Sequence, residues 1–308
     1  MTFEKNNKPT VYFIGVTTGQ SSIMQVFPRW AAELGLNAEI KGIDLPLHAP
    51  KEQYRAVVEH IKTDSFVLGA QITSHKIDLY NAASDMFDYI GPLAKTLNEV
   101  SVLSKKDGKF LAHALDPITS GLAIEAFVPK GFFKDFGGDV MLMGAGGSSL
   151  AMCTYFANKD QTDDIPKKII ICNRSTPRLE SAKLHLKPYF DRINVEFVHC
   201  PEPKDNDKVL SELMSHSLVV NATGLGKDQE GSPITKFANF PKNSLIWEIN
   251  YRGNLLFMEY ALEQKNSKEL KVVNGWQYFI HGWSQFIAYC FHMDIKPHLD
   301  RLSEIAKQ

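Results

Sequence analysis

The sequence predicts an α/β protein with two domains, each built on a sheet of mostly parallel strands, the second of them doubly wound. Short apolar runs alternate with longer helical patterns along most of the 308 residues, as expected when helices connect parallel strands. The chain is long enough for two domains of ordinary size. Residues 99–115 break the alternation: two apolar segments flank Asp107-Gly108, and Asp-Gly is a strong hairpin signal.

Hydrophobic periodicity predicts the elements of the first domain. Strands are expected at "TVYFIGVT", "AEIKGID" and "FVLGAQIT", with helices between them at "SIMQVFPRWAAELG" and "KEQYRAVVEHIK". Near the end of the chain, "GWQYFIHGWSQFIAYCFHM" predicts a further helix. Its apolar face comprises Phe279, Trp283, Phe286, Ile287 and Cys290. A helix so apolar must pack on a partner. We therefore place the first domain at 1–121 and expect helices within 276–308 to complete it.

A new alternation begins after Gly121. "DVMLMGAGG" is followed by a helix of small residues, and four further strand patterns come after it: "KKIIICNRS", "NVEFVHC", "SLVVNATG" and "SLIWEIN". This is close to the strand count of a doubly wound domain that binds a nucleotide. We place the second domain at 122–275.

Composition excludes several classes of protein. Hydrophobic residues make up 44% and charged residues 22%, as in a soluble globular protein, and the net charge of −1 favours neither nucleic acid nor membrane. The start of the chain lacks the apolar run of a signal peptide, and no segment approaches a membrane span. The four cysteines are widely spaced, which indicates buried thiols in a reducing cytoplasm. The histidines show no metal-binding spacing.

The stretch "VMLMGAGGSSLA" carries the clearest chemistry. A strand ends in a glycine loop and a helix starts at once; the loop is Gly144, Ala145, Gly146 and Gly147. Glycines let the backbone turn tightly and approach a pyrophosphate, whose charge is met by amides at the helix start. Ser149 stands where the GxGxxG pattern has its third glycine. The alternative is a tight strand–helix turn without a ligand.

The end of the next strand predicts which dinucleotide binds. An enzyme that uses NAD usually has an acidic residue there, on the ribose 2′-hydroxyl. This chain has "CNRSTPR", with Asn173, Arg174, Ser175 and Arg178, so two cations stand where the acid is missing. Arginines pair well with a phosphate, so NADP is favoured over NAD. The alternative is that both arginines are solvated residues at a helix start.

A third strand, in "LVVNATGLG", ends with Asn221 and Thr223. In a doubly wound domain such a strand end faces the cofactor crevice, and small residues there allow close approach of a nicotinamide or ribose. A plain glycine turn explains this segment equally well.

Taken together, these motifs resemble the shikimate dehydrogenase family over nearly the whole chain. The family has a glycine loop like "GAGGSS", an Asn-Arg-Thr motif like residues 173–175, and an Asn-Ala-Thr motif matched at 221–223. Its Asp-x-x-Tyr motif is echoed by "EINY", which ends at Tyr251. Its C-terminal Gly…Gln pattern is echoed by Gly275 and Gln285. The resemblance implies a Rossmann domain that binds NADP, a separate substrate domain and a role in aromatic amino acid biosynthesis.

In the first domain, "QITSHK" resembles the family's Asn-Val-Thr-x-Pro-x-Lys motif, one residue shorter and with Ser74 in place of proline. The resemblance places the family's catalytic lysine on Lys76 and its catalytic aspartate on Asp116. The family's substrate-binding positions fall on Ser21 and Asn98, together with the late residues Gln285 and Tyr251. Departures from the family pattern are concentrated in these substrate motifs, so the substrate site is divergent. The neighbouring His75 is interpreted as an exposed residue at a helix start.

The expected function is an NADP-dependent oxidoreductase that interconverts a hydroxyl and a ketone on shikimate or a related cyclic hydroxy-acid. Lys76 would carry the proton beside Asp116 while the cofactor carries the hydride. The expected partner is a small-molecule substrate, with no nucleic acid, membrane or metal, and the protein would act as a monomer or homodimer. Two alternatives stay open: a paralogue with another substrate, and a regulator that binds the cofactor without turnover.

Overall fold

The computed structural model describes residues 3–158, 164–226 and 229–307. They divide into two compact units. The first comprises the described residues up to Leu115 together with those from Gly282 onward, and the second runs from Asp116 to His281. The sequence patterns had set the corresponding boundaries at 121/122 and 275/276.

The first unit consists of helices packed on a mixed six-stranded sheet. Its elements up to residue 115 are β1 (Thr10–Gly15), α1 (Ile23–Glu33), β2 (Glu39–Asp44), α2 (Lys51–Thr63), β3 (Val67–Ile72), α3 (Lys76–Ala83), β4 (Tyr89–Ile90), α4 (Pro92–Leu97), β5 (Val102–Lys106) and β6 (Lys109–His113). The sheet order is β2-β1-β3-β5-β6-β4. Strands β2, β1 and β3 are parallel, and β5 runs antiparallel to both β3 and β6.

The predicted hairpin at Asp107-Gly108 is confirmed. It joins β5 to β6, and both turn residues have positive φ, 50° and 73°. Such left-handed backbone gives the turn the twist of the strands it connects, which explains the Asp-Gly sequence.

The second unit is doubly wound. Its elements are α5 (Asp116–Glu125), α6 (Phe132–Phe136), β7 (Val140–Met143), α7 (Gly147–Asn158), β8 (Ile169–Asn173), α8 (Thr176–Leu186), β9 (Val195–His199), α9 (Pro203–Ser211), β10 (Leu218–Asn221), β11 (Leu245–Glu248), α10 (Leu256–Glu263), α11 (Lys265–Lys268) and β12 (Lys271–Val273). The order β12-β11-β10-β7-β8-β9, with every pairing parallel, is that of a Rossmann domain and confirms the predicted fold class.

The chain ends with α12 (Trp276–Phe291) and α13 (Leu299–Ala306), and the boundary between the units falls inside α12. The predicted helix is confirmed, and all five residues of its apolar face are buried. From Gly282 onward these helices pack on the first unit. The Trp283 and Phe13 ring centroids are 5.0 Å apart, and the Trp30 indole N–H donates to the Leu302 carbonyl oxygen at 2.9 Å.

The packing of α12 on β3 depends on a glycine. A Cβ on Gly69 would lie 2.2 Å from the Leu103 carbonyl oxygen and 2.5 Å from the Cys290 sulfur. Gly69→Ala is therefore expected to lower the free energy of unfolding by about 1–3 kcal/mol, the usual cost of overpacking a core. Urea unfolding would measure this change.

Gly282→Ala is the matched control. Gly282 lies inside α12 with no heavy atom within 4 Å of the added Cβ. Alanine there should stabilise the protein by about 0.4–1 kcal/mol through the lower entropy of the unfolded chain. Equal effects of the two substitutions would contradict the proposed steric cause.

Among the described residues, none of the helices combines the length and the apolar composition that a membrane crossing requires. The four cysteines are free thiols and all are buried, as their apolar surroundings in the sequence indicate.

Candidate functional site

A cavity of about 670 Å³ lies at the carboxyl ends of β7, β8 and β10 in the second unit. The sheet order reverses between β7 and β10, and ligands of doubly wound folds bind at this switch point. The volume is within the usual range for ligand pockets. The cavity's position therefore follows from topology, before any side chain is considered.

The glycine loop has a backbone that requires glycine. Gly144 has φ 108°, and a Cβ there would lie 2.8 Å from the Ala222 carbonyl oxygen. The Ser149 hydroxyl donates to the Gly144 carbonyl oxygen at 2.6 Å, so this serine closes the loop against the start of α7. Gly146 lines the cavity with no heavy atom within 4 Å of an added Cβ. The loop thus leaves open the space that a pyrophosphate would need, and the site fits a dinucleotide.

The cavity wall includes most of the residues predicted to bind the cofactor. These are Gly144, Ala145, Gly146, Asn173, Arg174, Ser175, Arg178 and Thr223. Gly147, Asn221 and Gly275 are not among the described residues of the wall. Packing alone requires a glycine at position 275, because a Cβ there would overlap the Ile249 carbonyl oxygen.

Two exposed arginines, Arg174 and Arg178, stand on the wall where β8 ends. A carboxylate, Glu202, also lines the cavity, but it caps α9. Its side chain accepts a backbone hydrogen bond from Asp205, whose side chain accepts the Glu202 N–H in return at 2.9 Å. The Glu202 carboxylate is therefore occupied by a backbone N–H of its own helix. Arg174 and Arg178 both line the cavity, where they could pair with a bound anion.

A buried polar network holds the loop after β10, and the sequence reasoning missed its centre, Glu248. The Glu248 carboxylate accepts from the Asn221 amide at 2.6 Å and from the Asn250 amide at 2.7 Å. Asn221 in turn accepts the Thr223 hydroxyl at 2.6 Å, and Asn250 donates to the Thr223 carbonyl oxygen at 3.1 Å. Asn221 thus positions Thr223, which lines the cavity. The signal that could have identified Glu248 in the sequence is a carboxylate at the end of a predicted buried strand.

Burial raises the pKa of the Glu248 carboxyl from 4.5 to about 7, although the hydrogen bonds from Asn250 and Asn221 lower it. The native state then retains a proton that the unfolded chain releases at lower pH. The free energy of unfolding should therefore fall as pH rises through the window from 4.5 to about 7. The contribution is of the order of 3 kcal/mol, since one pKa unit corresponds to about 1.4 kcal/mol.

Urea unfolding of the wild type and Glu248→Gln at about pH 5 and about pH 8 tests this expectation. The amide does not titrate, so the variant should lose less stability than the wild type between the two pH values. An identical pH dependence in both proteins would rule out Glu248 as its source.

In the first unit, polar groups gather at the carboxyl ends of β1, β2 and β3. The Asp44 carboxylate accepts from the Thr18 N–H at 2.7 Å and from its hydroxyl at 2.6 Å. Thr73, just past β3, donates its backbone N–H to a carbonyl oxygen of β1 at 3.0 Å. A Cβ on Gly15 would lie 3.1 Å from both threonines, so the glycine lets them meet. The half-buried Ser21 ends the turn that Asp44 orders.

Lys76 is half-buried and opens α3. Its carbonyl oxygen accepts the Val100 N–H at 3.1 Å, which ties the start of α3 to the segment after α4. Asn98 belongs to that segment but is exposed and ends α4 with φ 50°, a backbone conformation that asparagine tolerates. The following residue, Glu99, is buried. The structure thus brings Lys76 near the chain segment of Asn98, whose side chain faces solvent.

The interpretation of His75 as exposed is wrong. His75 is fully buried, with Nδ1 3.0 Å from the Tyr54 hydroxyl, and no described residue is a hydrogen-bond partner of its Nε2. The cause is the packing of α2, which carries Tyr54, over the start of α3. Tyr54 also donates to the Asp78 carboxylate at 3.4 Å.

The remaining predicted substrate residues are divided between the units. Asp116 is half-buried at the start of α5 in the second unit. Tyr251, also in the second unit, packs its ring 5.0 Å from Phe279 and 5.7 Å from Trp276. Gln285 is half-buried on α12 in the part assigned to the first unit. Within the described ranges, no group of three metal-binding side chains is close enough to hold a metal ion.

Comparisons with known proteins support the motif resemblance. No family model matches the chain. A shikimate dehydrogenase (NADP(+)) from Streptococcus thermophilus is 28% identical over 188 residues, which are 61% of this chain and 60% of that enzyme. The enzyme of the same name from Lactococcus lactis subsp. cremoris is 23% identical over 225 residues, 72% of this chain and 73% of its own.

Solved structures share the fold over nearly the whole chain. Shikimate 5-dehydrogenase from Listeria monocytogenes, in complex with shikimate and NAD, has a TM-score of 0.75 at 18% identity and covers 99% of both chains. Quinate dehydrogenase from Corynebacterium glutamicum, in complex with NAD, has a TM-score of 0.73 at 18% identity over 97% of this chain and 99% of its own. The chain thus has the fold of shikimate and quinate dehydrogenases, and its sequence relatives confirm the resemblance to the shikimate dehydrogenase family.

Proposed function

We propose that this protein is an NADP-dependent oxidoreductase that interconverts a hydroxyl and a ketone on shikimate or a related cyclic hydroxy-acid. The observation that carries the proposal is the placement of Arg174 and Arg178 on the cavity wall beside the glycine loop. Relatives named for NADP(+) support the same cofactor. NAD is less favoured, because the segment from Cys172 to Arg178 contains no acid for the ribose 2′-hydroxyl.

In this proposal the second unit holds the cofactor. The amides of Ala145 and Gly146 would bind the pyrophosphate, while the Gly144 N–H donates to the Cys172 carbonyl oxygen at 2.7 Å. The two arginines would pair with the 2′-phosphate. Thr223, held by Asn221, borders the ribose or nicotinamide. The nicotinamide of a bound NADP supplies the hydride chemistry.

The residues proposed for catalysis are Lys76 and Asp116. Lys76 accepts the proton of the substrate hydroxyl during oxidation and returns it during reduction of the ketone, as a general acid–base residue. Asp116 is proposed to bind a substrate hydroxyl. Ser21, Asn98, Gln285 and Tyr251 are proposed to bind the remaining substrate oxygens.

The divergent motifs of the first domain bear on which cyclic hydroxy-acid is the substrate. A site built to hydrogen-bond a given hydroxyl rejects ligands without it, so a changed set of polar residues indicates a changed pattern of substrate hydroxyls. Shikimate is the first candidate, since the sequence relatives carry its name. Quinate is the second, since a structural neighbour is a quinate dehydrogenase. An aminated analogue is a further alternative for a divergent site.

A spectrophotometric assay tests the function. Purified protein is incubated with NADP⁺ or NAD⁺ and with shikimate, quinate or an aminated analogue, and the absorbance of the reduced nicotinamide is followed. Turnover of shikimate with NADP⁺ is expected. Turnover of another acid would identify a paralogue. Tight NADP⁺ binding without any turnover would favour a regulator and contradict the proposed activity.

The proposal also covers the roles of the two domains, the cell compartment and the oligomeric state. We assign substrate binding to 1–121 with 276–308, and dinucleotide binding to 122–275. The protein acts in the cytoplasm on a small molecule, as a monomer or homodimer and without nucleic acid. Light scattering of the purified protein would determine its oligomeric state.

A further inference from the structure

Two thiols meet on the wall of the cofactor cavity, and the proposed reaction uses neither. Cys172 lies in β8 one residue before its end, and Cys200 directly follows β9. Both belong to one buried apolar cluster, and each thiol has the largest effect on the pKa of the other, as expected of two neighbouring groups. The other two cysteines, Cys153 and Cys290, lie in separate parts of the core, on α7 and α12.

The backbone fixes this pairing. Strands β8 and β9 are parallel, with Asn173 opposite His199, and the Cys200 N–H donates to the Asn173 carbonyl oxygen at 2.9 Å. Cys172 and Cys200 are therefore diagonal neighbours on one face of the sheet, where side chains can touch. A disulfide between neighbours of this kind requires the backbone that carries them to move.

A small oxidant has a route to both sulfurs. Each cysteine lines the cofactor cavity, and Cys200 also lines a second cavity of about 320 Å³ beside the edge strand β9. A peroxide is of similar size to water and can enter spaces that exclude larger reagents. Burial in the core therefore does not shield this pair from a small oxidant.

We propose that Cys172 and Cys200 form a peroxide-oxidisable dithiol, and that closing their disulfide weakens cofactor binding. The thiolate of one cysteine attacks hydrogen peroxide, which breaks the O–O bond, gives a sulfenic acid and releases one water. The second thiol attacks this sulfur and displaces the hydroxyl as a second water. Two thiols lose two electrons and two protons, and the peroxide is reduced to two waters.

The local contacts favour Cys200 as the first nucleophile. The neighbouring Cys172 thiol lowers the pKa of the Cys200 thiol, although burial raises it. The Cys200 thiol in turn raises the pKa of Cys172, so the first attack falls to Cys200. Cys172 then acts as the resolving group, and its proton leaves with the displaced hydroxyl as water.

The consequence for binding rests on the proposed function. Cys172 is followed by Asn173 and Arg174, and Cys200 by the capping residue Glu202, so both loops border the cavity. A disulfide requires the two sulfurs to approach to about 2 Å, and this approach must shift these loops. Loss of one charge-assisted hydrogen bond from Arg174 would weaken NADP binding about tenfold or more. A strained bridge is easily reduced, so a dithiol should reverse the effect.

The experiment treats the full-length protein with hydrogen peroxide and follows two readouts. Intact mass should fall by two hydrogen atoms, and peptide mapping should find a Cys172–Cys200 disulfide. Titration with NADPH, followed by its fluorescence, should show about tenfold weaker binding that dithiothreitol restores. Cys153→Ser and Cys290→Ser should behave as the wild type. Cys200→Ser should form no disulfide and keep its NADPH affinity under peroxide.

Each failure has its own signature. Oxidation that yields sulfinic acids, or no modified cysteine, overturns the dithiol site whatever the protein binds. A mapped disulfide with unchanged NADPH affinity overturns the coupling to the cavity. Absence of NADPH binding by the reduced protein contradicts the proposed function instead, and peptide mapping then still tests the disulfide. Mapping of the untreated wild type detects any bridge formed during purification.

Discussion

Lys76→Ala is expected to lower kcat for the substrate identified by the assay about 10²–10⁴-fold, the usual contribution of one general acid–base residue. The hydride cannot leave the carbinol carbon unless the hydroxyl loses its proton, and alanine offers no acceptor. Lys76→Arg should not restore the rate, because a guanidinium does not release its proton at accessible pH. Steady-state kinetics with saturating NADP⁺ would measure both variants.

Lys95→Ala is the matched control, because Lys95 is an exposed cation on the short helix α4. Its kcat should equal that of the wild type. NADPH affinity should be unchanged in Lys76→Ala, since Lys76 belongs to the other unit from the cofactor cavity. If Lys76→Ala turns over at the wild-type rate, Lys76 is not the general acid–base residue.

Arg174→Ser combined with Arg178→Ser is expected to weaken NADP⁺ binding by about 100-fold or more. Each charge-assisted hydrogen bond contributes about 1.5–3 kcal/mol, and the double substitution removes both guanidinium groups from the cavity wall. NAD⁺ has no 2′-phosphate, so its affinity should change little. Titration calorimetry with both dinucleotides would measure the difference.

Lys183→Ser provides the comparison for charge alone. Lys183 is an exposed cation on the same helix as Arg178 but is not among the described residues of the cavity wall. Its substitution should leave the preference for NADP⁺ intact. An equal loss of NADP⁺ and NAD⁺ affinity in the double variant would mean that the arginines support the fold of the loop and do not select the phosphate.

The cavity wall of the second unit was largely predictable because the positions of its residues depend on local sequence. Gly144 needs a positive φ, the strand before it and the helix after it are strongly patterned, and Arg174 follows its strand directly. Each of these features involves a few consecutive residues. The doubly wound order then brings the strand ends together without any further information.

Other features depend on partners far along the chain and could not be predicted. The hydrogen bond between Asn221 and Glu248, 27 residues away, has no local signal in the sequence, and Asn221 also accepts the Thr223 hydroxyl. His75 looked exposed because its burial comes from α2, which carries Tyr54. Residues 229–233 line the cavity although they carry no motif, because the fold alone places them there.

The first unit is assembled from both ends of the chain, and this has a consequence for its synthesis on the ribosome. The hydrogen bond from the Trp30 indole to the Leu302 carbonyl oxygen can form only after Leu302, 272 positions later, has been synthesised. The second unit is continuous, so its strands can pair as soon as they emerge. The unit made first should therefore be completed last, because its apolar sheet face stays uncovered until α12 and α13 have been synthesised. A chaperone that binds nascent chains would find its target there.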